Sequence, residues 1–294
     1  MTLSMSHIKW FIYCVLLTIG LTINLKKFAT ETYMRFALRK QPIVISFTTT
    51  PHRINNMQAT IETILKQNIR VDAVYLSIPY IFKRENLPYV IPTWLLNDKR
   101  ITILRTDDYG PATKLLGVLA NVELDPETII ITFDDDIKYP KNAALQLAYQ
   151  AMRNPNAAFG ISGAHPAYMA DGYLDEYYFE GLKGEPTPNG NATILQGFGG
   201  IAYRKKFFAN NIFEIAHAPN YCINSDDLYL SFHLAKSNIG RKIVKNKYIH
   251  KDHIRYDNDI GHQDDALHKL STNTLDRHYQ CITYMKKLNP EVVF

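Results

Sequence analysis

The chain has 294 residues, of which 46% are hydrophobic and 21% charged, and a formal net charge of +5. That balance is enough to bury a sizeable core and excludes a disordered or low-complexity chain. Lys and Arg are scattered rather than clustered, which suits an anionic small molecule or membrane proximity and argues against nucleic acid as a partner.

The first distinctive segment is "WFIYCVLLTIGLTINL", Trp10 to Leu25, uncharged and flanked by Lys9 and by Lys26 and Lys27. No small-residue cleavage pattern follows it. The expectation is therefore a retained single-pass signal anchor, with a cleaved signal peptide and a buried or interfacial helix as alternatives. Residues 1–41 form the anchor and a polar stem on this expectation, and residues 42–294 the main domain. The heavier positive charge after the segment places that domain in the cytoplasm, with the Golgi or ER lumen as the alternative. The tripeptide Asn191-Ala-Thr193 is an N-glycosylation acceptor only in the lumenal case.

From Pro42 the pattern alternates. "PIVISFTTTP" predicts a strand ending in hydroxyl residues, and Asn55–Asn68 carries Met57, Ile61, Ile64 and Leu65 at helical spacing. "AVYLSIP" is a second strand, followed by a Pro-rich connection from Tyr80 to Trp94. "RITILRT" is a third, followed by "DDYGPATKLLGVLANV", a turn and a helix begun near Pro111. "ETIIITFDD" is a continuous apolar run, as in a strand buried on both faces, and a helix spans about Pro140–Arg153. Alternation of this kind implies a mostly parallel α/β sheet, in which ligands bind beyond the carboxyl ends of the strands. Thr48 to Thr50, Asp107 with Asp108, and Asp134 to Asp136 all fall at such ends. The second half, with "DGYLDEYYFEGLKG", "LQGFGGIAYRKKFF" and "NSDDLYLSFHLAKSNI", completes the pocket within the same domain.

Three adjacent carboxylates after a buried strand repel one another and need compensation. A solvated turn is one solution. A divalent cation is the other, because Mg2+ or Mn2+ takes one or two carboxylates together with substrate phosphates. Alternation puts Asp134 and Asp136 on one side of the strand end. Ser225 or Asp226 is a candidate N-cap of a helix carrying Leu228 and Phe232; capping alone explains one acid of the pair Asp226 and Asp227, and a cap plus one first-turn acid favoured by the helix dipole is the ordinary reading of both. Three cysteines, Cys14, Cys222 and Cys281, form no CxxC pair and support neither a disulfide framework nor a zinc ribbon.

Taken together, "TTTPHR", "DDYGPATKL", "FDDD", "GFGG" and "NSDDLYL" resemble the GT-A class of nucleotide-sugar-dependent glycosyltransferases over about residues 43–250. The resemblance implies a GT-A-like sheet and transfer of sugar from a nucleoside-diphosphate sugar to an acceptor hydroxyl of a glycan, lipid or protein-linked group. It also implies Mn2+ or Mg2+ as cofactor. On it, Asp136 ligates the metal, Asp134 holds the ribose or the metal through water, and Asp135 faces the fold or the sugar. Asp227 is the base of an inverting reaction, with Asp226 close behind. Thr48, Thr50, Arg53, Asp107, Asp108 and Lys114 contact the donor, and Gly199 and Gly200, beside Gly197, allow close backbone approach to a sugar. His250 is the third metal ligand, ahead of His253 and His262, and Tyr173, Tyr177 and Tyr178 wall an acceptor or pack a core. The signature departs from the class in having Asp-Asp where Glu-Asp is commoner. A nucleotidyltransferase of similar sheet topology and a non-catalytic glycan- or nucleotide-binding module are the alternatives. The nucleotidyltransferase is disfavoured because "TTTPHRIN" lacks the Gly-rich loop.

Overall fold

The computed structural model describes residues 5–168, 174–180, 193–244, 255–256 and 274–292. It divides into two compact units, Met1–Lys40 and Gln41–Phe294.

The first unit is one helix, α1 (Met5–Leu38), that continues unbroken past Lys26, Lys27, Glu31 and Arg35. Thr22 turns its hydroxyl back on the Thr18 carbonyl and Thr30 does the same to Lys26, so hydroxyls within the helix are satisfied by its own backbone. Among the described residues no helix is long and apolar enough to cross a membrane. The expected transmembrane anchor, and with it single-pass membrane localisation, is corrected accordingly. Physically, the uncharged stretch falls short of the roughly 20 apolar residues a bilayer needs, and Tyr13, Thr18, Thr22 and Asn24 dilute it.

The second unit is built on an eight-stranded mixed sheet. Four strands are mutually parallel: β1 (Ile43–Thr48), β2 (Ala73–Pro79), β5 (Thr102–Thr106) and β6 (Ile129–Thr132). They lie in the order β6-β1-β2-β5. The register sets Ser46 beside Thr132 and Thr48 beside Ser77, so the carboxyl ends of β1, β2 and β6 emerge level. Chain order reverses direction between β1 and β6, which opens a crevice at that point. Beyond β6 come β10 (Ile194–Arg204), antiparallel, then β8 (Ala157–Tyr168) and β11 (Gly240–Ile243), with β9 (Leu174–Glu180) on the outer part of β8. The mostly parallel sheet expected from the alternation is present, with β10 and β9 as its antiparallel members.

Helices cover both faces. α4 (Thr113–Asn121) packs on β1, β2 and β5, α5 (Ala143–Arg153) on β6, β8 and β10, and α7 (Asp226–Lys236) on β10 and β11. β6 is buried throughout, as its continuous apolar run requires. The helix read over Asn55–Asn68 is shorter, α2 (Gln58–Leu65), and Ile61 and Ile64 are its buried pair. The Pro-rich connection holds a small hairpin, β3 (Ile81–Phe82) with β4 (Leu87–Pro88), and one helical turn, α3 (Thr93–Leu96). β7 (Ile137–Lys138) pairs with β12 (Arg255–Tyr256).

One covalent feature departs from the sequence expectation. Cys222, in α6 (Asn220–Ile223), is bonded to Cys281 in α8 (Thr274–Leu288) across a separation of 59 residues. Both sulfur-bearing residues are fully buried in the core cluster that also contains Leu228, Leu230 and Met285. A bond closing a loop of this length removes unfolded-chain entropy worth roughly 2–4 kcal/mol. Cys281→Ser is therefore expected to lower the unfolding free energy by that amount in denaturant titration, and reductant is expected to lower the parent to the same level without altering the variant.

Candidate active site

Residues from the strand ends, from α4 and from the start of α7 line one cavity of about 1140 Å³. Its floor is Thr48, Thr49 and Thr50 with Asp134, Asp135 and Asp136, the ends of the adjacent strands β1 and β6. One wall comes from the hairpin side, with Phe82, Lys83, Arg84, Tyr89 and Asp108. A further part of the lining comes from the segment running from Ala216 to Leu228.

The three carboxylates have different neighbours. Asp135 turns inward: its Oδ2 accepts from Thr49 Oγ1 at 2.6 Å and its Oδ1 from the Arg53 guanidinium at 3.0 Å. The same guanidinium nitrogen donates to Asp136 Oδ2 at 3.1 Å. Asp134 accepts from Lys114 Nζ at 2.8 Å, while its backbone N–H donates to the Tyr139 hydroxyl, which donates in turn to the Phe198 carbonyl. Side-chain exposure follows the expected alternation, 25% and 16% for Asp134 and Asp136 against 8% for Asp135.

Lys114 joins this floor to the second acidic site. Its side chain is 5% exposed, and Nζ lies 2.8 Å from Asp134 Oδ1 and 3.0 Å from Asp226 Oδ2. Asp227 Oδ1 accepts from the Gly197 N–H at 2.9 Å. A side chain at 197 would meet Lys114 Nζ at 2.6 Å and Asp227 Oδ1 at 3.1 Å, so this glycine is what lets the two groups close in. Burial opposes the charge on Lys114, but the attraction of Asp134, Asp226 and Asp227 outweighs it and holds the ammonium protonated far into alkaline pH. Asp227 is raised as well, but here against its charged form: burial and the adjacent Asp226 lift it well above the ordinary carboxylate range. Ser225 precedes α7 without capping it, and its Oγ is buried without a hydrogen-bond partner among the described residues.

Several predicted site residues sit elsewhere or act differently. Asp107 is exposed and does not line the cavity. Asp108 lines it, but its carboxylate accepts from the Lys83 and Gly110 N–H groups at 2.7 and 2.8 Å and so staples two loops. Gly199 and Gly200 do not line the cavity. A Cβ on Gly199 would press on Ile161, and Gly200 has φ +87° with the Phe133 ring where a Cβ would go, so both glycines serve strand packing. His250, His253, His262 and Tyr173 lie outside the described residues; Tyr177 and Tyr178 are in β9, opposite Pro166 and His165. Thr49 in the floor and Tyr89 and Phe82 in the wall are lining residues that the sequence did not single out; only the threonine run hinted at one of them.

The residues can hold a divalent cation only in part. No group of three potential metal ligands converges among the described residues. Among the described residues, Arg53 and Lys114 are the ion-pair partners of Asp134, Asp135, Asp136 and Asp226. Burial and the neighbouring Asp135 and Asp134 push the Asp136 carboxyl up to about 7. Two cavity-facing carboxylates plus ligand phosphates suffice for Mg2+ or Mn2+.

No family model matches the sequence, and no curated protein matches it. Among solved structures the chain is similar to the 2-C-methyl-D-erythritol 4-phosphate cytidylyltransferase of Francisella tularensis. The identity is 12%, covering 69% of this chain and 89% of that one, with a TM-score of 0.41. A likeness at that score brings no activity to this chain, and no family is assigned.

A folded pKa raised above the unfolded value means that stability falls as pH rises from the unfolded value through the folded one. For Asp136 that window runs from 3.8 to about 7. In chelator, Asp136→Asn is expected to be more stable than the parent above pH 7, by roughly 2–4 kcal/mol. The difference should vanish near pH 4 in thermal unfolding.

Proposed function

We propose that the chain is a nucleotide-dependent glycosyltransferase, taking sugar from a nucleoside-diphosphate sugar to an acceptor hydroxyl. The observation carrying this is that Asp227, held by the Gly197 N–H at 2.9 Å, lines the same cavity as Asp134 and Asp136. A base and a diphosphate-gripping floor thus face one space. Asp134 and Asp136 would hold the divalent cation, which when bound neutralises charge on the departing diphosphate. Lys114 steadies Asp134 and Asp226 around that charge, and Arg53 keeps Asp135 and Asp136 in place. Asp227 takes the proton of the acceptor hydroxyl as its oxygen bonds to the anomeric carbon. The bond from that carbon to the diphosphate oxygen breaks, and the nucleoside diphosphate leaves with the electron pair. Direct displacement of this kind inverts the anomeric centre. Burial and the adjacent Asp226, which raise Asp227, make its carboxylate more basic than an ordinary one.

Nucleotidyl transfer is the second reading. Lys114, a buried ammonium lining the cavity, favours it, since a cation there would equally serve an entering phosphate.

The two differ in product. The full chain, given sugar nucleotides and separately nucleoside triphosphates with sugar phosphates, each with Mg2+ or Mn2+, is expected to release nucleoside diphosphate from the first set. Asp227→Asn should lower that rate roughly 10²–10⁴-fold while leaving donor binding in place. Pyrophosphate release from the second set alone would establish nucleotidyl transfer instead.

A further inference from the structure

The hairpin that the sequence shows only as a Pro-rich connection is held to the rim at three points. The Lys83 N–H donates to Asp108 Oδ2 at 2.7 Å, His52 meets Glu85 at 2.7 Å, and the Tyr89 hydroxyl donates to the Thr49 carbonyl at 2.8 Å. Asn86, with φ 53°, closes the turn in the left-handed region that Asn tolerates. Its two faces are distinct. Phe82 and Tyr89 are buried edge to face with centroids 6.3 Å apart, and the Arg84 guanidinium lies over the Phe82 ring, 4.7 Å from its centroid. Phe82, Arg84 and Tyr89 all line the cavity, and the Tyr89 hydroxyl ties this side of the lining to the Thr49 carbonyl of the threonine floor.

A guanidinium held over an aromatic ring is a donor-only recognition group of restricted freedom. It hydrogen-bonds a carbonyl oxygen and meets an amino group donor to donor. Guanine and uracil carry a carbonyl where adenine and cytosine carry an amino group. Placed at the nucleoside end of the cavity, such a group discriminates between the two kinds of base.

We propose that the β3–β4 hairpin is the nucleobase wall of the site and that Arg84, stacked on Phe82, selects a keto base, uracil or guanine, over the amino bases. This rests on the nucleotide-dependent function proposed above. Arg84 acts on recognition and not on the reacting atoms, so its effects belong to binding.

Calorimetric titration of the full chain with UDP, CDP, GDP and ADP in Mg2+ tests it. UDP is expected to bind more tightly than CDP, or GDP than ADP, by about 10-fold or more. Which of these two pairs shows the gap identifies the base. Arg84→Ala should bring the members of the pair within a few-fold of each other. Arg84→Gln, which can both donate and accept, should relax the preference while keeping affinity and thermal midpoint near the parent's. Equal binding of keto and amino bases by the parent, or undiminished discrimination in both variants, would overturn the proposal and leave the proposed function standing. A uniform loss for all four nucleotides in Arg84→Ala would overturn it too, since it would put Arg84 on phosphate. Absence of binding by any of the four would remove the nucleotide-dependent function and this inference with it.

Discussion

The site depends on one shared ion pair. Lys114 enters from the first turn of α4 and stands between Asp134, at the end of β6, and Asp226, at the start of α7. The Ser46 hydroxyl donates to the Lys114 carbonyl, so β1 fixes the backbone that presents the ammonium. Burying such a charge costs several kcal/mol unless partners surround it, and removing one partner of a buried pair typically costs about 3–5 kcal/mol. Elements far apart in sequence are thereby committed to one place: α4, β6, α7 and, through the glycine at 197, β10.

The surplus of carboxylates around that ammonium gives the cavity its chemistry. Arg53 spans Asp135 and Asp136, yet burial and the neighbouring carboxylates still raise the carboxyl of Asp136. A fold that needed only stability would replace these acids with apolar side chains. The proposed cation and phosphorylated ligand would account for keeping them. Asp135 differs from the other two in turning inward, where Thr49 and Arg53 hydrogen-bond both of its oxygens.

Much of this was legible in the residues because local rules fix it. Strand alternation places Asp134 and Asp136 together and Asp135 apart, and the alternating elements bring Thr48, Asp134 and Asp227 to one cavity. What could not be read depends on tertiary contact. The part of "GFGG" that touches the site is Gly197, whose neighbours are Lys114 and Asp227, whereas Gly199 and Gly200 answer to Ile161 and Phe133. The spacing of Cys222 and Cys281 carries no sign that α6 and α8 pack together. The hairpin is hidden by its brevity, two residues a strand, and is held mainly by Asp108, His52 and Tyr89. The N-terminal segment misled because a run of apolar residues has the same composition in a helix too polar to span a bilayer.

The most direct measurement is the coupling between Asp134 and Asp226, joined through Lys114 Nζ at 2.8 and 3.0 Å. Unfolding free energies of Asp134→Asn, Asp226→Asn and the double variant give it. If Lys114 unites the two acidic sites, the coupling is about 1 kcal/mol or more in the parent background and disappears when Lys114 is replaced by Met. Additivity within about 0.5 kcal/mol with Lys114 intact would show that the two sites are energetically separate and would contradict the account.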